Sequence, residues 1–203
     1  GTLLHWDGST WSPVSSGTTQ LLDGAFGTSA NNVWFVGSSG TILRWDGTAV
    51  SPVASPVTSS LTSIWGPSAN DLWATSYTGI LLHWDGTSWT QQASGITADL
   101  KRVFGTSSSN IWVVGQGGQI LRWNGTSWTA QTSGTTQNLY TVWASSPSSA
   151  WAAGDNGTLL QWNGTAWTPR ASGTSTTLYS LWGSSASNVW VAGTIGTILQ
   201  YAP

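Results

Sequence analysis

Asp7, Asp46 and Asp85 are the first residues to test for chemistry. Two suitably placed carboxyls can hydrolyse a glycosidic bond, one as acid and the other as base or nucleophile. Their spacing argues against that use. They recur at an interval of 39 residues, and the next two places in the series hold Asn124 and Asn163. An amide replaces a carboxylate freely where the side chain bonds its own turn, but not in proton transfer. Asp71 likewise has Asn32, Asn110 and Asn188 as counterparts. Asp23, Asp99 and Asp155 have no acidic counterparts, so they are the only carboxylates open to a unique role. His5 and His83 share a place with Arg44, Arg122, Gln161 and Gln200, which reads as a polar strand face. Two histidines on units that are not neighbours make a poor metal site. Cysteine is absent, which excludes disulfides, thiol chemistry and Cys-ligated zinc. The expectation is a protein with no catalytic residue, no metal and no cofactor.

Partners are bounded in the same way. Charged residues are 6% of the 203, with one Lys and four Arg. Five cations neutralise few phosphates, so nucleic acid is not expected. There is no polybasic patch for an anionic membrane and no apolar run of the ~20 residues a spanning helix needs. The chain starts directly on a repeat, with no signal peptide in view. Sparse charge beside abundant Ser, Thr, Gly and Trp suggests an extracellular or cell-surface binding protein.

The elements that carry these residues follow from one period. The phrase "xLLxW" places Trp6, Trp45, Trp84, Trp123 and Trp162 at 39-residue intervals, then Tyr201. Five units and the start of a sixth run without insertion or deletion. Trp34, Trp73, Trp112, Trp151 and Trp190 form a second column. Trp11, Trp89, Trp128 and Trp167 form a third, with Val50 in the missing place. Phe26, Trp65, Phe104, Trp143 and Trp182 form a fourth, and these columns contain all 17 Trp. In the fifth unit the pattern predicts four strands: 158–162, 166–172, 177–183 and 188–193. They are rich in aromatic and β-branched residues and bounded by Gly, Asn, Asp and Ser. The Asp-Gly or Asn-Gly pair between the first two supplies positive φ for a hairpin turn.

A gapless four-stranded unit of this length is the pattern of a β-propeller blade. Pro13, Pro52 and Pro169 all fall in the second strand of their units, which places that strand at the outer edge. The blades then span 21–55, 60–94, 99–133 and 138–172, with the inner strands of a fifth at 177–193. Residues 10–16 are expected to supply its outer strand. The fold expected is a single all-β domain, 1–203: a five-bladed propeller, four antiparallel strands per blade, its N-terminal strand closing the last blade. Thr2–Trp6 and Thr197–Tyr201 then compete for one place. One of them should be displaced, frayed or lent to another copy by strand exchange.

The order L-x-x-[VIL]-[WF]-G, [ND]-[VIL]-W-x-x-G and G-x-[IL]-L-x-W-[DN]-G-x-x-W resembles the tectonin-type, tachylectin-like propeller repeat. It is also similar to propeller repeats of secreted myxobacterial proteins. The resemblance spans the whole chain and implies a lectin that binds bacterial or methylated glycans. The W-D-G-x-x-W turn is near the Asp-box of sialidases, but Asp and Gly are adjacent here, so the spacing departs from that motif.

Three columns, those of Trp6, Phe26 and Trp34, are aromatic in every unit and read as packing between blades. The third column stands apart. It sits on the outermost strand beside the Asx-Gly turn, where a free indole face and a nearby amide or carboxylate could hold a sugar. The carbohydrate-binding candidates are therefore Trp11, Trp89, Trp128 and Trp167 with Asp85, Asn124 and Asn163. Packing against the first column is the alternative. Several weak sites around a ring would bind a glycan surface by avidity.

A second candidate surface is the set of turns that differ between units, which offers Tyr77, Gln116, Asp155 and Asn156. Near them "DLKR" at 99–102 concentrates Asp99, the one Lys and Arg102. This surface suits a protein partner. A glycosidase is the third and least supported reading. The "NGT" sequons at Asn124, Asn156 and Asn163 match N-glycosylation sites, but two of them are the hairpin turn itself.

Overall fold

The computed structural model describes residues 1–201. A short hairpin comes first: β1 (Leu3–Trp6) and β2 (Trp11–Val14). Four complete blades follow. Blade 1 is β3 (Leu22–Ser29), β4 (Asn32–Gly37), β5 (Ile42–Trp45) and β6 (Val50–Pro52). Blade 2 is β7 (Leu61–Ser68), β8 (Asp71–Ser76), β9 (Leu81–Trp84) and β10 (Trp89–Gln92). Blade 3 is β11 (Leu100–Ser107), β12 (Asn110–Gly115), β13 (Ile120–Trp123) and β14 (Trp128–Gln131). Blade 4 is β15 (Leu139–Ser146), β16 (Ser149–Gly154), β17 (Leu159–Trp162) and β18 (Trp167–Pro169). Blade 5 has three strands, β19 (Leu178–Ser185), β20 (Asn188–Gly193) and β21 (Ile198–Tyr201).

Within each blade the strands pair antiparallel in chain order. The first strands pack side by side in the series β3, β7, β11, β15, β19. They are therefore the inner strands, and the proline-bearing β6 and β18 lie outermost, as the sequence predicts, whereas β2, which also carries a proline, pairs only with β1. Every inner strand carries two register shifts against its neighbour, as between Leu100 and Arg102 and between Gly105 and Ser107. Such bulges bend and twist a strand.

The core is a stack of indoles between blades. Trp34 packs on Trp84 and Trp89 of the next blade, at 4.9 and 5.7 Å between ring centroids. Trp73 meets Trp123 and Trp128, and Trp112 meets Trp162 and Trp167, in the same way. Trp151 has only Tyr201, at 4.8 Å. Burying so large a ring at each boundary, among aliphatic side chains such as Val114, Ile120 and Leu139, helps join neighbouring blades.

Closure differs from the expectation. The strand at 10–16 does not complete blade 5: β2 pairs with β1, Leu3 opposite Val14 and Trp6 opposite Trp11. Both copies of the repeated phrase are paired, β1 with β2 and β21 with β20. A closed ring of five blades has room for only one of them. Among the described residues β19 makes no packing on β3 comparable to that between successive inner strands. The observed set is four complete blades, a three-stranded fifth and a two-stranded piece, in place of five complete blades. The reason is competition for one seat. β21 holds the edge of β20, while the Trp6–Trp11 indole pair, 5.7 Å apart, and the turn at Asp7 keep β2 with β1. The hairpin lies against blade 1 like the outer half of a preceding blade. His5 stacks on Trp45 at 5.6 Å, the relation that Arg122 has to Trp162 at 5.4 Å.

Candidate functional site

The third-column indoles are not free platforms. Trp89 and Trp167 are buried and Trp128 is half-buried, each edge-on against the second-column Trp of the preceding blade. This corrects the expectation that an outer strand leaves its Trp open: the first-column Trp of the same sheet packs against it at 5.5–5.8 Å, as the alternative reading expects, and the preceding blade closes over it. Only Trp11 is open, 65% exposed, because no blade precedes its hairpin.

The turn residues behave as their interchangeability implies. Asp85 Oδ1 accepts the backbone N–H groups of Thr87 and Ser88 and the Thr87 hydroxyl, at 2.7–2.9 Å. Asn124 and Asn163 accept the same three donors with their amide oxygens. These bonds stabilise the ionised form and hold Asp46 and Asp85 down at about pKa 2, with Asp7 also lowered. The oxygens are thereby committed to their own turn. The His-Arg-Gln slot is committed too. His83 Nε2 lies 2.9 Å from Asp71 Oδ1, which also accepts the Trp73 indole N–H. Arg44 donates to Asn32 in the equivalent place.

The side chains that differ from blade to blade gather elsewhere. They lie where β4-type strands turn into β5-type strands and where the chain enters each inner strand. The backbone there is shared. Gln116 N donates to Asp99 O, and Asp155 N to Asn138 O, stitching each turn to the start of the inner strand of its own blade. On this frame Tyr77 lies under Lys101, with Nζ 4.4 Å from the ring centroid. Lys101 Nζ also bonds Asp99 Oδ2 at 2.9 Å. A cation held over an aromatic face and beside a carboxylate is fixed in direction. One blade on, Asn138 Oδ1 accepts Gly117 N–H at 3.0 Å, and its amide donates to Asp155 Oδ2 at 2.9 Å. Asp155 also accepts the Tyr140 hydroxyl and, through Oδ1, the Thr177 hydroxyl of blade 5. Asn156 donates to Gln137 at 2.8 Å. Tyr140 and Tyr179 face each other across two blades at 4.9 Å.

Electrostatics follow from this crowding. Partial burial, reinforced by the Asp155 charge, raises the Tyr140 hydroxyl above its ordinary pKa, so it stays a neutral donor. Partial burial also raises Asp23. Arg102 lies on β11, at the place where Ser63 and Thr141 bond the backbone of the next inner strand. The atoms around it lower its pKa by desolvation while its longer side chain remains reachable by solvent.

Of the predicted residues, the face therefore brings together Tyr77, Asp155 and Asn156, with Gln116 in the turn between them. The sequence reading missed Tyr140, Tyr179 and Asn138. A signal was available: Asp23, Thr62, Lys101, Tyr140 and Tyr179 occupy one column of an otherwise uniform repeat. Among the described residues no group of three His, Cys, Asp or Glu side chains could hold a metal ion, and no helix is long and apolar enough to cross a membrane.

Stacked antiparallel blades joined by inter-blade indoles define a β-propeller. No family model matches the chain, and no curated protein matches it. Solved propellers do. YCF48 from Cyanidioschyzon merolae is similar at 18% identity over 100% of this chain and 77% of its own, with a TM-score of 0.77. A structure of YCF48 bound to D1 peptide matches at 15% identity and a TM-score of 0.52, over 98% of both chains. The WD40 β-propeller domain of Doa1 matches at 12% identity, over 90% of this chain and 65% of that one, with a TM-score of 0.75.

Proposed function

We propose that the chain is a non-enzymatic, protein-binding propeller whose variable loop face captures a peptide segment of a partner. The observation that carries this reading is the concentration of unrepeated side chains on that face. Tyr77 and Tyr179, 42% and 53% exposed, flank the Lys101–Asp99 pair and the Asp155 network. Exposed tyrosine is the side chain that interaction hot spots favour, and the Lys101–Asp99 pair adds a directed charge beside it. The propeller that binds D1 peptide lends support by likeness of fold alone. An exported or surface-attached location fits the sparse charge. A peptide display library selected on the immobilised chain tests the reading. Selected peptides should lose about tenfold in affinity on Tyr77→Ala or Lys101→Ala. Peptides indifferent to both changes would overturn it.

A glycan-binding role rests on a different residue. Trp11 offers an open indole face beside the exposed Asp7, so a lectin activity would concentrate at the N-terminal hairpin. A glycan array read with Trp11→Ala separates the two functions.

A further inference from the structure

Exposed large apolar side chains are confined almost wholly to two places. Apart from Tyr77, all of them fall at or before Leu21 or at or after Tyr179. Tyr179 belongs to the loop face; the others lie on or beside the N-terminal hairpin and on blade 5. At every complete boundary a second-column Trp is sandwiched against the next blade's hairpin, as Trp112 is by Trp162 and Trp167. On blade 5 Trp190 remains 39% and Trp182 60% exposed. Beside Trp151 a groove of about 410 Å³, lined by Val189, Val191, Leu199 and Tyr201, stands open where the other blades carry an outer strand. The hairpin β1–β2 has the converse deficiency. It is the outer half of a blade, with no inner strands.

We propose that a second copy of this chain fills the gap head to tail: its β1–β2 hairpin pairs along β20 and displaces β21. The repeat fixes the register. Gln200 lies opposite Trp190, and the 39-residue period makes His5 its equivalent. His5 would then reach Asn188, as His83 reaches Asp71. Trp6 and Trp11 would cover Trp151 as Trp162 and Trp167 cover Trp112. One β-ladder is exchanged for another, so the net gain is the burial of indoles that are now exposed. The contact continues an interface already repeated between blades 1 to 4. It is heterologous, so copies add in one direction and form rings or fibres. It uses the terminal blades and is independent of the loop face.

Light scattering of the full chain across a concentration series tests this. The expected result is a mass above the monomer that rises with concentration. Trp11→Ser and Trp190→Ser, both at exposed positions, should each weaken association about tenfold without changing the circular dichroism of the monomer. Leu199→Asp loosens the competing β21 and should lower the concentration needed to associate. A full chain that stays monomeric at every concentration overturns the proposal. So does a Leu199→Asp chain that becomes a compact monomer with Trp11 shielded from quencher, since its own hairpin would then have closed the ring.

Discussion

Trp112 and Trp190 occupy the same place in their blades, yet one is fully buried and the other 39% exposed. Trp167 and Trp11 differ in the same way, at 6% and 65%. The strands that carry these residues pair with their neighbours in the same register in both regions, so the difference comes from what is laid against the sheet. A propeller blade has no core of its own on its faces: its indoles become interior only when another blade is laid on them. The middle boundaries are therefore cooperative structure, and the two ends are surface that carries interior residues.

Mutation should break this comparison most sharply at the indoles. Trp112→Ala should cost about 3–5 kcal/mol, since it leaves a cavity between blades 3 and 4 and strips cover from Trp162 and Trp167. Trp190→Ala should cost less than half of that, because part of the ring is already in water. Urea unfolding followed by circular dichroism reads both. Equal losses would mean that the ends are as well packed as the middle.

The glycine turns repeat the contrast with backbone in place of side chain. Gly157 has φ +68°, and a Cβ there would lie 1.9 Å from the Thr174 carbonyl oxygen. Gly196 has φ +69° with nothing within 4 Å of that position. Gly196→Ala should cost only the left-handed penalty, about 1 kcal/mol. Gly157→Ala adds a displacement of backbone to the same penalty and should cost about 2–4 kcal/mol in total. One position earlier, Asn156 tolerates φ +53° while Ile195 holds φ +56° on a β-branched residue that is 92% exposed. Ile195→Asn should therefore stabilise by about 1 kcal/mol, measured as a rise in melting temperature. No rise would mean that the turn at the open end already relaxes to another conformation.

The period made most of this legible before any coordinates. The 39-residue interval, the proline-bearing second strand and the Asx-Gly turns were enough to order the strands from the axis outward. Two things were not legible, for related reasons. Burial of Trp89 and Trp167 is completed by Trp34 and Trp112 on the preceding blade, a contact across a boundary that a pattern within one unit does not report. Closure was misjudged because the sequence offers two equal candidates, Thr2–Trp6 and Thr197–Tyr201, for the edge of β20, and equal phrases carry no preference. On the candidate face the turns stand out in the sequence because their residues change from unit to unit while their flanks do not. Tyr140 and Tyr179 are less legible because they sit inside strands, where a column that varies as Asp23, Thr62, Lys101, Tyr140 and Tyr179 has the form of a solvent-facing position.

The smallest expected effect sharpens the comparison between turns. Asp46 and Asp85 are held at about pKa 2 by hydrogen bonds from their own turns, below the ordinary 3.8, whereas Asn124 and Asn163 make the same bonds without a titratable group. A carboxylate whose folded pKa is depressed contributes stability above its unfolded pKa and loses it as pH falls through the folded value. The first two blades should therefore weaken between about pH 4 and pH 2, while the turns at Asn124 and Asn163 should not respond. Asp46→Asn with Asp85→Asn should flatten that part of the acid profile of unfolding and leave neutral-pH stability nearly unchanged, because the amide oxygen accepts the same donors. An acid profile that keeps its slope in the double variant would place the acid-sensitive group elsewhere, with Asp7, whose pKa is lowered by the same kind of turn, the next to replace.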